Sequence, residues 1–482
     1  MSQQKRPLAL LDNAFLLTET TEAPKHIASL FYYEKPADSG EDYAYQLYNH
    51  WLGCNTATAP FNWKLAGINP LRPFWIEDDN FDIARHLRFH RLPDQASEQQ
   101  LLNKVGELHE EPLKRDRPVW SLHIIDGLAG DRFAMYFSLH HALIDGMTAM
   151  SMIAIAHDNK PLKDSLPLWQ RDYPDFKLSD QSWLQRQQKM LTGRIDAAQK
   201  SAKNLVGLGH LSMQLIKEAV GINETPLTIP FSAKDCLLNG DASSQRSLAT
   251  ACLPLDQVKL VCHQSGGSLN HVVLTCVDEA MHRYLGDIGA PLDAPLHVNI
   301  PVSLRGKEES DQAGNSVAAL PVSLADADCD LSGRFEEIGK SLTGLRDLVE
   351  NNSKSSLETY SLLTGALAQS LETTSTQSLA PGAAHFLVSN VPGPRQTLFQ
   401  GEAALLNWYP VSALYPGQRI NVTLLSYDGK LYFGVVASAE FLPRIELLTT
   451  YIEAAFASLA KEFLPAKPSK TKNKSARKKT AA

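Results

Sequence analysis

Leu139-His140-His141-Ala142-Leu143-Ile144-Asp145-Gly146 reads as the end of a buried strand that delivers two histidines into a tight loop. Upstream, Phe133, Met135, Phe137 and Leu139 alternate with Ala134, Tyr136 and Ser138, the two-residue period of a β-strand. Downstream, Gly146 opens a stretch rich in Met, Ala and Ile, Met147 to Ala156, that predicts a helix. A histidine at such a junction can serve as a general base, because imidazole titrates close to neutral pH. Asp145 is near enough in sequence to fold back and fix the loop or the imidazole tautomer.

Other chemistries fit less well. A histidine pair can be purely structural. Adjacent strand residues point to opposite faces, so His140 and His141 do not readily share a metal ion. No other His/Cys cluster has ligand spacing, and no metal site is expected. A Ser/His/Asp hydrolase needs a nucleophile on a sharp elbow, and the chain has no GxSxG. What survives is a base acting on a substrate proton, with no covalent enzyme intermediate required.

The 482 residues suffice for two lobes with ample core, and the composition, 44% hydrophobic and 21% charged, is that of a globular protein. A net charge of −7 gives no case for a nucleic-acid partner. From Lys467 onward there are seven Lys/Arg and no acid, which leaves about −14 on the remainder. The six cysteines (54, 236, 252, 262, 276 and 329) form no CxxC and fit reduced thiols packed as small hydrophobes. Lys5 and Arg6 precede too short an apolar stretch for a secretion signal, and no run is apolar enough to span a bilayer. A cytoplasmic protein, peripheral on membrane at most, is expected.

Strands are expected at Ile27–Tyr32, Ser121–Ile125, Leu248–Leu253, Leu296–Ile300, Phe386–Ser389, Ile420–Leu425 and Leu431–Ala437, the last two joined by an Asp428-Gly429 turn. Helices are expected at Ser97–Glu110, at Val272–Leu285 with Ser268 or Asn270 as cap, and at Pro443–Phe463. A basic amphipathic pattern over 182–220, with Trp183, Leu184, Leu191 and Ile195, suggests either a packed connector or a membrane-surface helix. Breakers between Gly221 and Gly240 mark a boundary. The expected division is a first lobe 1–180 with the histidine loop, a helical connector and crossover 181–245, a second lobe 246–465, and a basic disordered tail 466–482.

The HHxxxDG loop resembles that of CoA-dependent acyltransferases with the chloramphenicol-acetyltransferase-like fold. The whole chain resembles one branch, the bacterial wax ester synthase/acyl-CoA:diacylglycerol acyltransferase family. The residues that carry this run from Pro7-Leu8 with Asp12, Ala14 and Phe15, through Pro60-Phe61-Asn62-Trp63-Lys64-Leu65 and Arg117-Pro118-Val119-Trp120. They continue with Ser268-Leu269-Asn270, Pro301-Val302-Ser303-Leu304-Arg305, Gly314-Asn315, Ser389-Asn390-Val391-Pro392-Gly393-Pro394, and Gly417-Gln418 to Gly434. The fold this implies is α/β (α+β), two lobes each with a mixed sheet and helices, and an active-site channel between them.

The resemblance implies that His141 is the general base, taking the proton of a substrate hydroxyl so that the oxygen attacks an acyl-CoA thioester directly. His140 is then an orienting neighbour, Asp145 ties the loop to Arg305 of the other lobe, and Gly146 completes the motif. Ser389 or Asn390 would donate to the thioester oxyanion or position CoA, unless their loop is only a rigid wall. Asn270 matches the first residue of the family's Asn-Asp pair, whereas His271 replaces the Asp. That exchange removes an acceptor and adds a titratable donor near the channel, or else alters a plain first-turn helix position. The substrates implied are fatty acyl-CoA with a long-chain alcohol or diacylglycerol, with no cofactor. A membrane or lipid-droplet surface would be a peripheral partner. Another hydroxyl acceptor, or a catalytically silent lipid binder, are the competing functions.

Overall fold

The strand that carries the histidines, Arg132–His140, is buried along all but its first residue. Its alternation therefore separates two covered faces. Met135 and Phe137 line a small apolar cavity with Trp51 of helix Tyr43–Leu52 and with Ile153 and Ala156 of helix Gly146–Ala156. On the opposite face Tyr136 meets His109 of helix Glu98–Glu110. The computed structural model describes residues 5–8, 10–67, 73–144, 146–173, 227–303, 317–373 and 382–464.

Arg132–His140 lies inside a six-stranded sheet in the order Phe399–Gln400, Ala403–Val411, His26–Glu34, Arg132–His140, Trp120–Leu128, Leu87–Ala96. All neighbours in it are antiparallel except the last two, which run parallel. A second six-stranded sheet has the order Val317–Ser323, His297–Ser303, Phe386–Pro392, Ile420–Tyr427, Lys430–Ser438, Arg246–Pro254. Phe386–Pro392 pairs in parallel with both its neighbours there. Helices Leu269–Asp287, Leu331–Glu350 and Glu446–Phe463 pack together beside this second sheet. Each sheet anchors its own core.

The local signals behind these elements are visible. Ser97 caps helix Glu98–Glu110 in a reciprocal box with Gln100, and Ser268 caps helix Leu269–Asp287 by accepting from the His271 N–H. Asp428 and Gly429 both take positive φ (41° and 74°), as the tight turn between Ile420–Tyr427 and Lys430–Ser438 requires.

The chain does not keep to the two consecutive lobes expected from sequence. Phe399–Gln400 and Ala403–Val411 leave the second half and close the first sheet beside His26–Glu34. Trp408 holds the crossover in place: its ring is buried against Phe31, with centroids 5.4 Å apart, and its indole N–H donates to Ser29 Oγ at 3.0 Å. Among the described residues, no helix is long and apolar enough to cross a membrane.

Candidate active site

A short helix and the residue that follows it brace both histidines. Helix Leu10–Thr18 presents Phe15, whose ring stacks on His141 with centroids 4.2 Å apart and planes 15° from parallel. Just past the end of that helix, Glu19 Oε1 lies 3.4 Å from His140 Nε2. The main chain of Lys25 ties the two together, since its N–H donates to Glu19 Oε1 at 2.9 Å and its carbonyl accepts the His141 N–H at 2.9 Å.

The two histidines have different surroundings. His140 is fully buried at the strand end, and its Nδ1 accepts the Ala142 N–H at 3.0 Å. That bond leaves the neutral ring's proton on Nε2, facing Glu19. At 3.4 Å this is electrostatic contact rather than a well-formed hydrogen bond. His141 is half-buried in the turn that follows.

Burial alone would raise the Glu19 carboxyl. Contact with His140, the Lys25 N–H and Arg115, whose Nη2 donates to Oε2 at 2.8 Å, outweighs it and holds Glu19 down at about 2. Glu19 therefore stabilises the fold fully above pH 4.5, its ordinary value, and the contribution drains away as pH falls toward 2. Glu19→Gln is expected to cost about 2 kcal/mol at pH 7. Melting curves of the two proteins should converge on acidification; a gap that persists at pH 2.5 would show that the charge is not what matters.

Beneath the pair runs a chain of hydrogen-bonded side chains. His109 Nε2 donates to the Ser412 carbonyl at 3.3 Å, so its Nδ1 accepts from Tyr136 Oη at 2.7 Å and from His26 Nε2 at 3.0 Å. Ser138 bonds Tyr136, Ser121 Oγ lies 2.8 Å from Ser138 Oγ, and His123 bridges Ser121 and His90 at 3.0 and 2.9 Å. Every imidazole must be neutral for these donors to run one way. Burial secures that, lowering His26 and His90 to about 4 and His123 to about 3, and holding His109 well below its ordinary value. Ser412 in turn meets Thr423 of the second sheet, Oγ to Oγ1 2.8 Å. The floor of the histidine loop is thus polar, ordered and shared between the two halves.

The second half contributes an amide pair. Asn390, on strand Phe386–Pro392, donates from Nδ2 to Asn270 Oδ1 at 3.0 Å. Residues 120 apart in sequence, each singled out by its own motif, meet side chain to side chain. The bond turns the Asn270 amide N–H₂ and the Asn390 carbonyl outward as a donor and an acceptor. Helix Gly146–Ala156 packs against this same strand, and Val391 joins the first core. Ser389 is half-buried, in register with Thr423.

Two expectations change. Asn390, Val391 and Pro392 do not end the strand; they continue it, opposite Leu424, Leu425 and Ser426. The proline is tolerated because, among the described residues, His297–Ser303 pairs only with Phe386 and Leu387, so no described ladder bond calls on the missing N–H. At Gly393 a Cβ would sit 2.4 Å from the Ser426 carbonyl, so only glycine fits. His271 does not face a channel: it is wedged against helix Leu331–Glu350, stacked on Phe335. Asp145, Arg305, Gly314-Asn315, the 182–220 pattern and the basic tail lie outside the described residues. Gly146 begins its helix with open space around it. Among the described residues, no cluster of three His, Cys, Asp or Glu could hold a metal. Glu19, Lys25, His26 and His109 escaped sequence reasoning, since nothing local marks a partner so distant in the chain.

Comparison with known proteins covers nearly all of this architecture. The model of the wax ester synthase/diacylglycerol acyltransferase catalytic domain matches residues 8–273, and that of the C-terminal domain of the same enzymes matches 313–460. A Mycobacterium tuberculosis protein named as a probable diacylglycerol O-acyltransferase is 32% identical over 457 residues, 93% of this chain and 97% of its own length. The O-acyltransferase WSD of Acinetobacter baylyi is 30% identical over 454 residues, 93% and 95% of the two chains. The wax ester synthase/diacylglycerol acyltransferase of Marinobacter aquaeolei VT8 superposes with a TM-score of 0.70 at 26% identity, over 94% of this chain and 98% of that one. The first condensation domain of the calcium-dependent antibiotic synthetase, 17% identical with a TM-score of 0.58 over 95% and 96% of the two chains, shares the fold.

Proposed function

The chain belongs to the wax ester synthase/diacylglycerol acyltransferase family, and from that premise we propose that it moves a fatty acyl group from acyl-CoA to the hydroxyl of a long-chain alcohol or a diacylglycerol, with His141 as the base. The supporting observation is the asymmetry of the pair. His140 is buried and its Nδ1 is committed to the loop backbone, whereas His141 is partly open and held flat by Phe15.

The chemistry balances within one imidazole. His141 takes the hydroxyl proton as the oxygen attacks the thioester carbonyl. The tetrahedral intermediate collapses by breaking the C–S bond, and the imidazolium returns the proton to the departing thiolate. Ester and free CoA result, with no acyl-enzyme and no cofactor. The outward amide of Asn270, fixed by Asn390, supplies an N–H donor suited to the oxyanion or to the amides of the CoA arm. Both substrates partition into lipid, so the enzyme works at a membrane or lipid-inclusion surface on the cytoplasmic side. The Lys-rich stretch from Lys467 supplies electrostatic attachment there.

The test is thiol release from palmitoyl-CoA by the purified chain, with hexadecanol and diacylglycerol offered separately. Release that depends on either acceptor, with the matching ester formed, is expected. Release with neither would transfer the proposal to a different hydroxyl acceptor and overturn this one.

A further inference from the structure

His271 occupies the third position of helix Leu269–Asp287, directly after Asn270. Its main-chain N–H and carbonyl and its ring Nε2 are all engaged. The N–H donates to Ser268 Oγ at 3.2 Å, the carbonyl accepts from Thr275 Oγ1 at 2.9 Å, and Nε2 lies 2.5 Å from the Phe335 carbonyl of helix Leu331–Glu350. A carbonyl can only accept, so the ring's proton is on Nε2. The imidazole lies face to face on the Phe335 ring, centroids 3.7 Å apart, and Phe335 in turn packs on Phe463 at 5.0 Å.

Space for the ring comes from two glycines on different elements. A Cβ at Gly267 would lie 2.9 Å from Nδ1, and one at Gly339 would lie 2.8 Å from Cε1. The imidazole thus fills the gap between the turn that starts one helix and the flank of another, and it bonds across that gap. Asn270 sits between the Ser268 cap and this wedge, and it hands its Oδ1 to Asn390 of the second sheet.

We propose that His271 is a positioning residue, whose ring sets the separation of helix Leu269–Asp287 from helix Leu331–Glu350 and thereby the place at which Asn270 meets Asn390 in the acyl-transfer site. This rests on the reading of Asn270 as part of that site. The requirement is for a donor of the right reach. Glutamine keeps a side-chain N–H near the Nε2 position, whereas aspartate sets an acceptor against the Phe335 carbonyl and leaves the ring's volume empty.

The experiment compares His271→Gln, His271→Asp, Gly339→Ala and Asn270→Ala in the full chain. kcat and the KM for each substrate are measured below the melting temperature of every variant. His271→Asp is expected to lower kcat about tenfold or more, because small misplacements near a reacting centre are costly. The KM for acyl-CoA should stay within about threefold, and His271→Gln should stay within about threefold of wild type throughout. Gly339→Ala, whose methyl presses on Cε1, should lower kcat in the same way, and it carries the test if the Asp variant does not fold. Loss with Asn270→Ala but wild-type kcat in both His271→Asp and Gly339→Ala overturns the wedge alone. Wild-type kcat with Asn270→Ala overturns the reading of Asn270 as well. Equal loss with Gln and Asp also overturns the proposal, since the donor would then count for nothing.

Discussion

His141→Ala is expected to reduce acyl-CoA-dependent ester formation by about a thousandfold while leaving the chain folded. A general base that hands the same proton to the leaving group acts at both barriers of the reaction. Its removal therefore falls on kcat rather than on the KM for either substrate. The fold survives because the His141 ring is only half-buried, in the turn that follows the strand, and its N–H to the Lys25 carbonyl is a main-chain bond that alanine keeps; the stack on Phe15 is lost with the ring. His140→Ala is the instructive contrast. That ring is fully buried, its Nδ1 accepts the Ala142 N–H, and its other edge faces Glu19. Removing it leaves a buried N–H and a buried carboxylate short of a partner, a cost of a few kcal/mol to folding. Thiol-release rates and melting temperatures measured side by side separate the two. Near-normal turnover by a folded His141→Ala protein would remove His141 from the chemistry.

The portion of this design that could be read from the sequence is the portion that local pattern encodes. Phe133 to Ala156 announces strand, loop and helix because each element has its own period and Asp145-Gly146 punctuates them. Structure places the strand at Arg132–His140 and the helix at Gly146–Ala156, within a residue or so of expectation. The Asn270 and Asn390 motifs were legible singly, but nothing in either shows that they touch. Ala403–Val411 was not read as a strand, because its Leu405-Leu406-Asn407-Trp408-Tyr409-Pro410 run has no clean alternation and a bulge interrupts its pairing between Leu405 and Asn407. What decides its place is Trp408 filling a gap beside Phe31, a tertiary fact with no local signature. The strand expected at Phe386–Ser389 runs on to Pro392 for a like reason, since whether proline stops a strand depends on the pairing beside it.

The two halves are locked where the sheets touch, and this makes Gly434→Ala a severely disruptive single methyl. Gly434 lies in the interior of the second sheet, opposite Thr423 on one side and Thr250 on the other. Alternation along Lys430–Ser438 sends Phe433 and Val435 into the second core and Tyr432 and Val436 into the first, so Gly434 faces the first half. There it meets Pro410 of the crossover strand: a Cβ would lie 1.7 Å from the Pro410 carbonyl oxygen and 2.9 Å from its carbon. Backbone cannot swing aside as a side chain can, because Pro410 is itself in register with Ser29 of the first sheet, and Tyr409 packs edge-on against Tyr432 at 5.1 Å. The added methyl must part the sheets by well over 1 Å. A cost of about 3 kcal/mol is expected, at the upper end of overpacking. Activity should fall with stability, since the histidine loop stands on one sheet and Asn390 on the other. Gly286→Ala is the control. It adds the same methyl to an exposed helix position with nothing within 4 Å, and should be neutral or stabilising by up to about 1 kcal/mol. Melting both variants against wild type decides the matter. A Gly434→Ala protein that melts with wild type would mean the sheets have slack at Pro410, and that the join between the halves yields without consequence for the site it supports.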